Sequence, residues 1–272
     1  MLPAHRYGYA GAGKLRGVTL INSHMKISII TASYNSSPTI RDTLDIVAAQ
    51  RHPDIEHIIV DGDSKDDTLD IIASYPHVTK LIVGRDEGIY DAMNKGISVA
   101  SGEIIGILNS DDVYVDDRVL SDVAAAFADP EVMTVYADLQ YVDPGDLGKI
   151  RRRWVSGPFK RNNFYYGWMP PHPTFFVRRQ VYDRAGVFNL DLRSAADYEL
   201  MLRILVKLRI AAHYIPRTIV KMRAGGTSNA SLFNRLRGNK EDRMAWKLNG
   251  LKPYFFTLYL KPLRKIHQFI LK

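Results

Sequence analysis

The run Leu108-Asn109-Ser110-Asp111-Asp112 puts an amide, a hydroxyl and two carboxylates at the end of a short apolar stretch, Ile104–Leu108. Oxygen donors of this kind suit hard divalent cations such as Mg²⁺ and Mn²⁺. These ions take one or two carboxylates and fill their remaining positions with phosphate and water. Asp111 is the candidate metal carboxylate, since it follows the strand and a small Ser110. Asp112 reads either as a helper or as a turn residue. A further acid, Asp197, opens an amphipathic stretch marked by Tyr198, Met201, Leu202 and Leu205. Taken alone it is a helix N-terminal acid favoured by the helix dipole.

Three other apolar runs end in the same chemistry. The first leads into Thr31-Ala32-Ser33-Tyr34-Asn35, the second into Asp61-Gly62-Asp63-Ser64 and the third into Gly84-Arg85-Asp86-Glu87-Gly88. In an open parallel sheet, ligands bind beyond the carboxyl ends of the strands. Any one such cluster is accounted for by turns and helix caps, but four consecutive clusters at that edge form a site. No G-x-G-x-x-G fingerprint follows the first strand, which disfavours nicotinamide and flavin chemistry and points to phosphate held through a metal. Gly8 to Lys14 approaches a P-loop, but Leu15 replaces the required Ser/Thr and no apolar strand leads into it.

The elements that must position these residues alternate from Met25 onward. Strands are expected at Lys26–Ala32, Ile55–Val60, Val78–Val83 and Ile104–Leu108. Helices are expected after the Ser37-Pro38 cap and at Asp66–Ser74, Ile89–Ala100 and Arg118–Phe127. This rhythm predicts an α/β fold with a mostly parallel central sheet flanked by helices. Beyond residue 130 the pattern loosens. Strands are expected at Met133–Val142, Gly148–Val155 and Thr174–Val177, with a loop rich in aromatics, Pro and Gly over Phe159–Pro173. The helix opened by Asp197 follows, then two short strands at Ala211–Ile215 and Ile219–Met222.

Composition bounds the rest. The 272 residues are 46% hydrophobic and 24% charged, enough apolar material for one sizeable core. The chain has no cysteine, which excludes disulfides, zinc–thiolate sites and thiol nucleophiles. No apolar run reaches the roughly 18 residues of a spanning helix, so a cytoplasmic protein is expected. The net charge of +8 sits at the ends, because residues 25–229 hold 24 basic and 27 acidic residues. This distribution argues against a nucleic-acid groove. Residues 1–24 read as a leader or vector-derived segment, 25–229 as the catalytic domain and 230–272 as a basic helical extension. Within 251–272, aromatics and aliphatics are interleaved with Lys/Arg. That mixture serves an anionic membrane surface, packing on the catalytic domain or a homodimer contact. Peripheral attachment to the inner face of the cytoplasmic membrane is thus one of the open alternatives.

The ordered motifs carry a resemblance. They are Thr31–Asn35, Val60–Ser64, Asp86–Gly96, Leu108–Asp112, His172–Arg178 and Ala196–Glu199. Together they closely resemble the inverting family-2 glycosyltransferases of the GT-A fold, nearest to bacterial members that build surface polysaccharides, from Lys26 to about Asn229. The resemblance implies a nucleotide-diphosphate sugar donor, with a UDP-sugar favoured. It also implies a saccharide or polyprenyl-diphosphate-linked acceptor and a Mn²⁺ or Mg²⁺ cofactor. Asp61 would hold the nucleotide base, with Thr31, Asn35, Arg85, Asp86, Asn94 and Lys95 lining the donor pocket. Asn109-Ser110-Asp111 stands where the family has an Asp-x-Asp metal motif. Asn109 contributes an oxygen but no charge, which weakens metal binding. Asp197 would be the general base. His172 would contact acceptor or phosphate, and Gly226 and Ser228 would wrap the diphosphate. Arg151-Arg152-Arg153-Trp154 would meet an anionic acceptor or form a plain surface strand. Two rival readings remain, a sugar-nucleotide nucleotidyltransferase and a non-catalytic nucleotide-sugar-binding subunit. The first lacks a Gly-rich basic loop after its first strand, and the second is opposed by the retained Asp111 and Asp197.

Overall fold

Seven consecutive buried residues, Ile27–Ser33, form the first strand, β1. The even-numbered apolar side chains of β1 pack into one core cluster and the odd-numbered ones into another, as the two-residue repeat of a strand requires. The computed structural model describes residues 25–225 and 232–264. Residues 1–24, Gly226, Ser228 and Lys265–Lys272 lie outside the described residues, as does the Gly8–Lys14 segment. The remaining strands are β2 (Ile55–Asp61), β3 (Val78–Val83), β4 (Ile104–Ile107), β5 (Val113–Tyr114), β6 (Thr134–Asp143), β7 (Asp146–Trp154), β8 (Phe176–Arg178) and β9 (Ala212–Arg223). The helices are α1 (Ile40–Ala48), α2 (Thr68–Ala73), α3 (Ile89–Val99), α4 (Val119–Ala126), α5 (Arg179–Ala185), α6 (Ala196–Leu202), α7 (Leu232–Leu248) and α8 (Thr257–Arg264).

One sheet carries the order β3-β2-β1-β4-β8-β6-β9-β5, with β7 added on β6. Its first four strands are parallel. The second half is mixed, since β8 runs antiparallel to both β4 and β6 while β6 and β9 are parallel. Strand order reverses at β1, between β2 on one side and β4 on the other. A crevice therefore opens at the carboxyl ends of β1 and β4.

Three expectations change. The first helix starts at Ile40 with Thr39 as its N-cap, because the Ser36 carbonyl accepts from both Thr39 N–H and Ile40 N–H. Ser37 N–H turns instead to Asp66. The two short strands near Pro216 are one strand, β9, whose ladder with β6 skips Pro216 and Arg217. A bulge there leaves out a residue that has no N–H to pair. The boundary at 229/230 does not separate the described part of the tail from the domain. Trp246 of α7 is fully buried, donating its indole N–H to the Tyr198 hydroxyl at 2.9 Å. Asn249 donates to Glu199 on α6. The Thr257 hydroxyl donates to the Tyr165 carbonyl at 2.6 Å. Gly167, at φ 77°, lets the backbone of α8 come so close that a Cβ there would lie 2.5 Å from the Lys261 nitrogen. Of the alternatives for the tail, packing on the catalytic domain is what residues 240–264 do.

Candidate active site

The donor-side edge is built from strand ends that hold one another. Asn35, at φ 47°, takes the left-handed conformation that asparagine tolerates better than most residues. From there its N–H donates to Ser64 Oγ and its side-chain carbonyl accepts Lys65 N–H, both at 2.8 Å. Asp61 is fully buried, and its carboxylate accepts Ser33 Oγ–H, Ser64 Oγ–H and Ser64 N–H, each at 2.7 Å. Gly62 lies between Tyr34 and Asp86, so close that a Cβ there would meet the Asp86 carboxylate at 3.2 Å and the Tyr34 ring at 3.3 Å. Tyr34 itself is 63% exposed and offers a free ring face at this edge. Lys95 reaches back from α3 to the Asp86 carboxylate at 2.5 Å, the Arg85 carbonyl at 2.9 Å and the Asp91 carboxylate at 3.0 Å. Arg85 is exposed.

Two expected donor contacts are placed elsewhere. Thr31 does not reach the crevice. Its side chain is fully buried against β2, with its hydroxyl 3.1 Å from His57 Nε2. Asn94 faces the segment after α5. Its amide donates to the Phe188 carbonyl and its carbonyl accepts Phe188 N–H, both at 2.9 Å. A side chain so paired is a clamp on the backbone of residue 188.

The 108–112 loop is pinned from below and left unsatisfied above. Thr39 and Thr43 of the first helical turn donate to the carbonyls of Ser110 and Asp112, at 3.0 and 2.8 Å. Ser110 Oγ and Ser36 Oγ lie 2.8 Å apart. Arg223, at the end of β9, donates to the Asp111 carbonyl at 2.6 Å, to the Pro144 carbonyl at 3.1 Å and to the Asp42 carboxylate. The residues that fix this loop are therefore scattered through the chain, and nothing in the Arg223 neighbourhood of the sequence marks it. Asn109 Oδ1 and Asp112 Oδ1 are buried with no hydrogen-bond partner among the described residues. Burial pushes the Asp111 carboxyl above the usual carboxylate range, with Arg223 opposing. Burial pushes Asp112 up further, reinforced by Asp111. Orphaned oxygens beside two reluctant carboxylates are the donor set that a hard cation would satisfy. Among the described residues no three His, Cys, Asp or Glu side chains converge as a metal cage. The loop thus fits a cation held by few protein oxygens and completed by phosphate.

Asp197 is set apart by its own helix. Every other residue of α6 is buried, and Asp197 alone stays half-open. It accepts the Tyr90 hydroxyl at 3.1 Å. Tyr90 stacks on Phe188 with ring centroids 5.4 Å apart, and Phe188 meets His172 edge-on at 5.5 Å. The Asn94 clamp thereby fixes Phe188, which fixes Tyr90, which orients Asp197. Burial lowers the His172 pKa while the Asp197 charge opposes it, so the ring is neutral at neutral pH.

Asn109, Tyr90, His172 and Asp197 share a cavity of about 550 Å³. Trp154, at the end of β7 and part of the Arg151–Trp154 run, also lines it; the rest of the wall was not legible as a site in the sequence: Trp168 from the aromatic loop, Arg193 before α6, and Lys261 and Arg264 from α8. Trp168 is held by its indole N–H on the Ser156 carbonyl at 2.9 Å. Arg152 lies over the Tyr141 ring at 3.8 Å, and Arg151 pairs with Asp143. Gly226 and Ser228 fall outside the described residues and have no place in this geometry.

A parallel half-sheet with a polar switch-point edge is joined to a mixed half carrying a carboxylate in an aromatic cavity. Residues 28–186 match the family described as Glycosyl transferase family 2. A PGL/p-HBAD biosynthesis glycosyltransferase of Mycobacterium bovis is 31% identical over 207 residues, covering 74% of this chain and 78% of that one. This chain belongs to glycosyl transferase family 2. Its fold is also that of Staphylococcus aureus TarS 1-349, solved with UDP-GlcNAc, at TM-score 0.65 and 19% identity; the match covers 83% of this chain and 65% of TarS 1-349. The mannosyltransferase PcManGT of Pyrobaculum calidifontis, solved with GDP-Man and Mn²⁺, matches at TM-score 0.62 and 19% identity, over 87% of this chain and 68% of that one.

Proposed function

We propose that the chain transfers a sugar, with inversion, from a UDP-sugar to a hydroxyl of a saccharide or lipid-linked saccharide, Asp197 acting as general base. The observation that carries this reading is Asp197 itself, the one open residue of a buried helix, lining the same cavity as Asn109. The nucleotide would lie along the edge of Tyr34, Asp61 and Asp86, where the exposed Tyr34 ring offers a stacking face. Family membership and the sugar nucleotides bound by TarS and PcManGT support a nucleotide-sugar donor.

Asp197 takes the proton of the acceptor hydroxyl as that oxygen bonds to the anomeric carbon from the side opposite the diphosphate. The bond from the anomeric carbon to the diphosphate oxygen breaks, and the nucleoside diphosphate leaves with the electron pair. Tyr90 holds the carboxylate in line for this transfer. Neutral His172 can give or receive a hydrogen bond without placing a charge beside the base. Mn²⁺ or Mg²⁺, when bound, supplies positive charge to the departing diphosphate; Asp111 would be its carboxylate ligand and Asn109 Oδ1 a neutral one.

The test is a screen of UDP-, GDP- and dTDP-sugars for stabilisation and turnover with Mn²⁺ or Mg²⁺, with the product anomer read by NMR. Turnover of a UDP-sugar with inverted configuration is expected. A retained configuration, or no stabilisation by any nucleotide sugar, would overturn the proposal.

A further inference from the structure

The inner face of α8 is fully used. Thr257 and Leu258 are buried, and Lys261 pairs with Asp242 at 2.7 Å while its ammonium lies 3.7 Å from the Tyr198 ring centroid. The outer face is not. Tyr259, 63% exposed, and Leu263, 53% exposed, stand one turn apart on it, and Phe255, 89% exposed, lies in the turn that leads into the helix, so that 255–263 carries an exposed apolar stripe. The stripe is held firmly from behind, since Tyr254 packs on Tyr165 and Tyr165 on the buried Trp246, with centroids 5.3 and 4.9 Å apart. A rigid element thus presents large apolar side chains to solvent, which an isolated surface residue would not explain.

We propose that this stripe docks on an anionic lipid surface, the aromatic and aliphatic side chains entering the headgroup region while the surrounding cations meet lipid phosphates. The charge pattern selects that occupant. Residues 243–272 contain seven Lys/Arg and no Asp or Glu, and Lys252 and Arg264 flank the stripe. A two-fold contact with a second copy would bring these like charges together, whereas an anionic leaflet attracts each of them, strengthening binding about fivefold per basic residue. Aromatic rings with basic neighbours are the composition that settles in a membrane interface. No helix among the described residues is long and apolar enough to cross a membrane, so the contact is a surface one.

The position of this face bears on the reaction, a consequence that rests on the function proposed above. Arg264 lines both the cavity that contains Asp197 and a smaller cleft of about 300 Å³ between Tyr166, Leu260 and Leu263. The cleft opens beside the docking stripe. An acceptor carried on a lipid anchor would enter the cavity from the plane of the membrane, with its anionic link passing Arg264.

The experiment is co-sedimentation of the full chain with vesicles of phosphatidylcholine, with and without phosphatidylglycerol, compared with the Phe255→Ser/Tyr259→Ser variant. Thermal unfolding serves as a folding check, and both replaced side chains are mostly exposed. Binding to the phosphatidylglycerol vesicles, little to phosphatidylcholine alone and a loss of at least tenfold in the variant are expected. Binding should also weaken as salt screens the contact. No sedimentation with anionic vesicles, or equal binding by the variant, would overturn the proposal. So would a concentration-dependent dimer that the same substitutions abolish, because the stripe would then be covered by a second copy. Vesicle binding is read without donor or acceptor, so its failure would leave the proposed chemistry untouched.

Discussion

The two halves of the sheet solve the same problem in opposite ways. The donor half places its polar residues at the ends of adjacent parallel strands, and those ends bind each other through Ser33, Asn35, Asp61 and Ser64. Each group there comes from a strand end immediately recognisable in the chain. The mixed half gathers Tyr90, Trp154, Trp168, Asp197 and Lys261 from five segments spread between residues 90 and 261. It depends on α7 and α8 packing behind α6. One half is organised by strand topology, the other by tertiary packing of side chains around a single carboxylate.

If that contrast is right, the largest effect of a structural substitution should fall on the tail. Trp246→Ala removes a fully buried indole and the hydrogen bond to Tyr198. A loss of about 3–5 kcal/mol is expected, seen as a fall in Tm on the order of 10 °C. An unchanged Tm would show that α7 is not part of the core that supports Asp197.

The next effect should cross from one half to the other. Arg223→Met takes three hydrogen bonds from the Asp111 loop, Pro144 and Asp42. Stability should drop by about 2 kcal/mol. Turnover should fall about tenfold at low Mn²⁺ and recover partly as Mn²⁺ is raised. A variant with normal metal dependence would break the link between β9 and the candidate metal loop.

The positioning of the base gives a smaller and more specific effect. Tyr90→Phe keeps the ring on Phe188 but removes the hydroxyl that hydrogen-bonds Asp197. The carboxylate then loses the partner that orients it, so kcat should fall about tenfold with donor affinity unchanged. An unchanged kcat would make Tyr90 a packing residue only.

The mildest prediction concerns the donor half, where β2 carries two acid-sensitive groups. Burial, reinforced by His77, lowers His57 to about 3. The folded state thus refuses a proton that the unfolded chain accepts below about 6.5, and stability falls as pH drops through that range. Burial alone would raise Glu56, but hydrogen bonds from Lys80, Ser28 and Ser101 outweigh it and hold the carboxyl at about 2. Its contribution is full above the unfolded value of about 4.5 and is lost as pH falls towards 2. Chemical unfolding of Glu56→Gln across pH 2–5 should show a flatter slope than the parent.

The same contrast explains what the sequence made legible. Strand positions in the donor half follow from apolar runs of strand length, and Asp61, Asp86 and Asn109 fall where those runs end. Side-chain direction was harder to read. Thr31 is buried against His57, and Asn94 turns to Phe188, a residue with no motif of its own. Arg223, Phe188 and the α8 wall were invisible because only packing brings them near Asp111 or Asp197. Pro216 suggested two strands where a bulge preserves one.

The central claim is that Asp197 is the base and that the donor half works independently of it. The most direct measurement pairs transfer rate with donor affinity in Asp197→Asn. The account predicts a fall in kcat of about a thousandfold, with nucleotide-sugar affinity within twofold of the parent. Transfer at the parental rate, or a loss of donor binding as large as the loss of turnover, would contradict it.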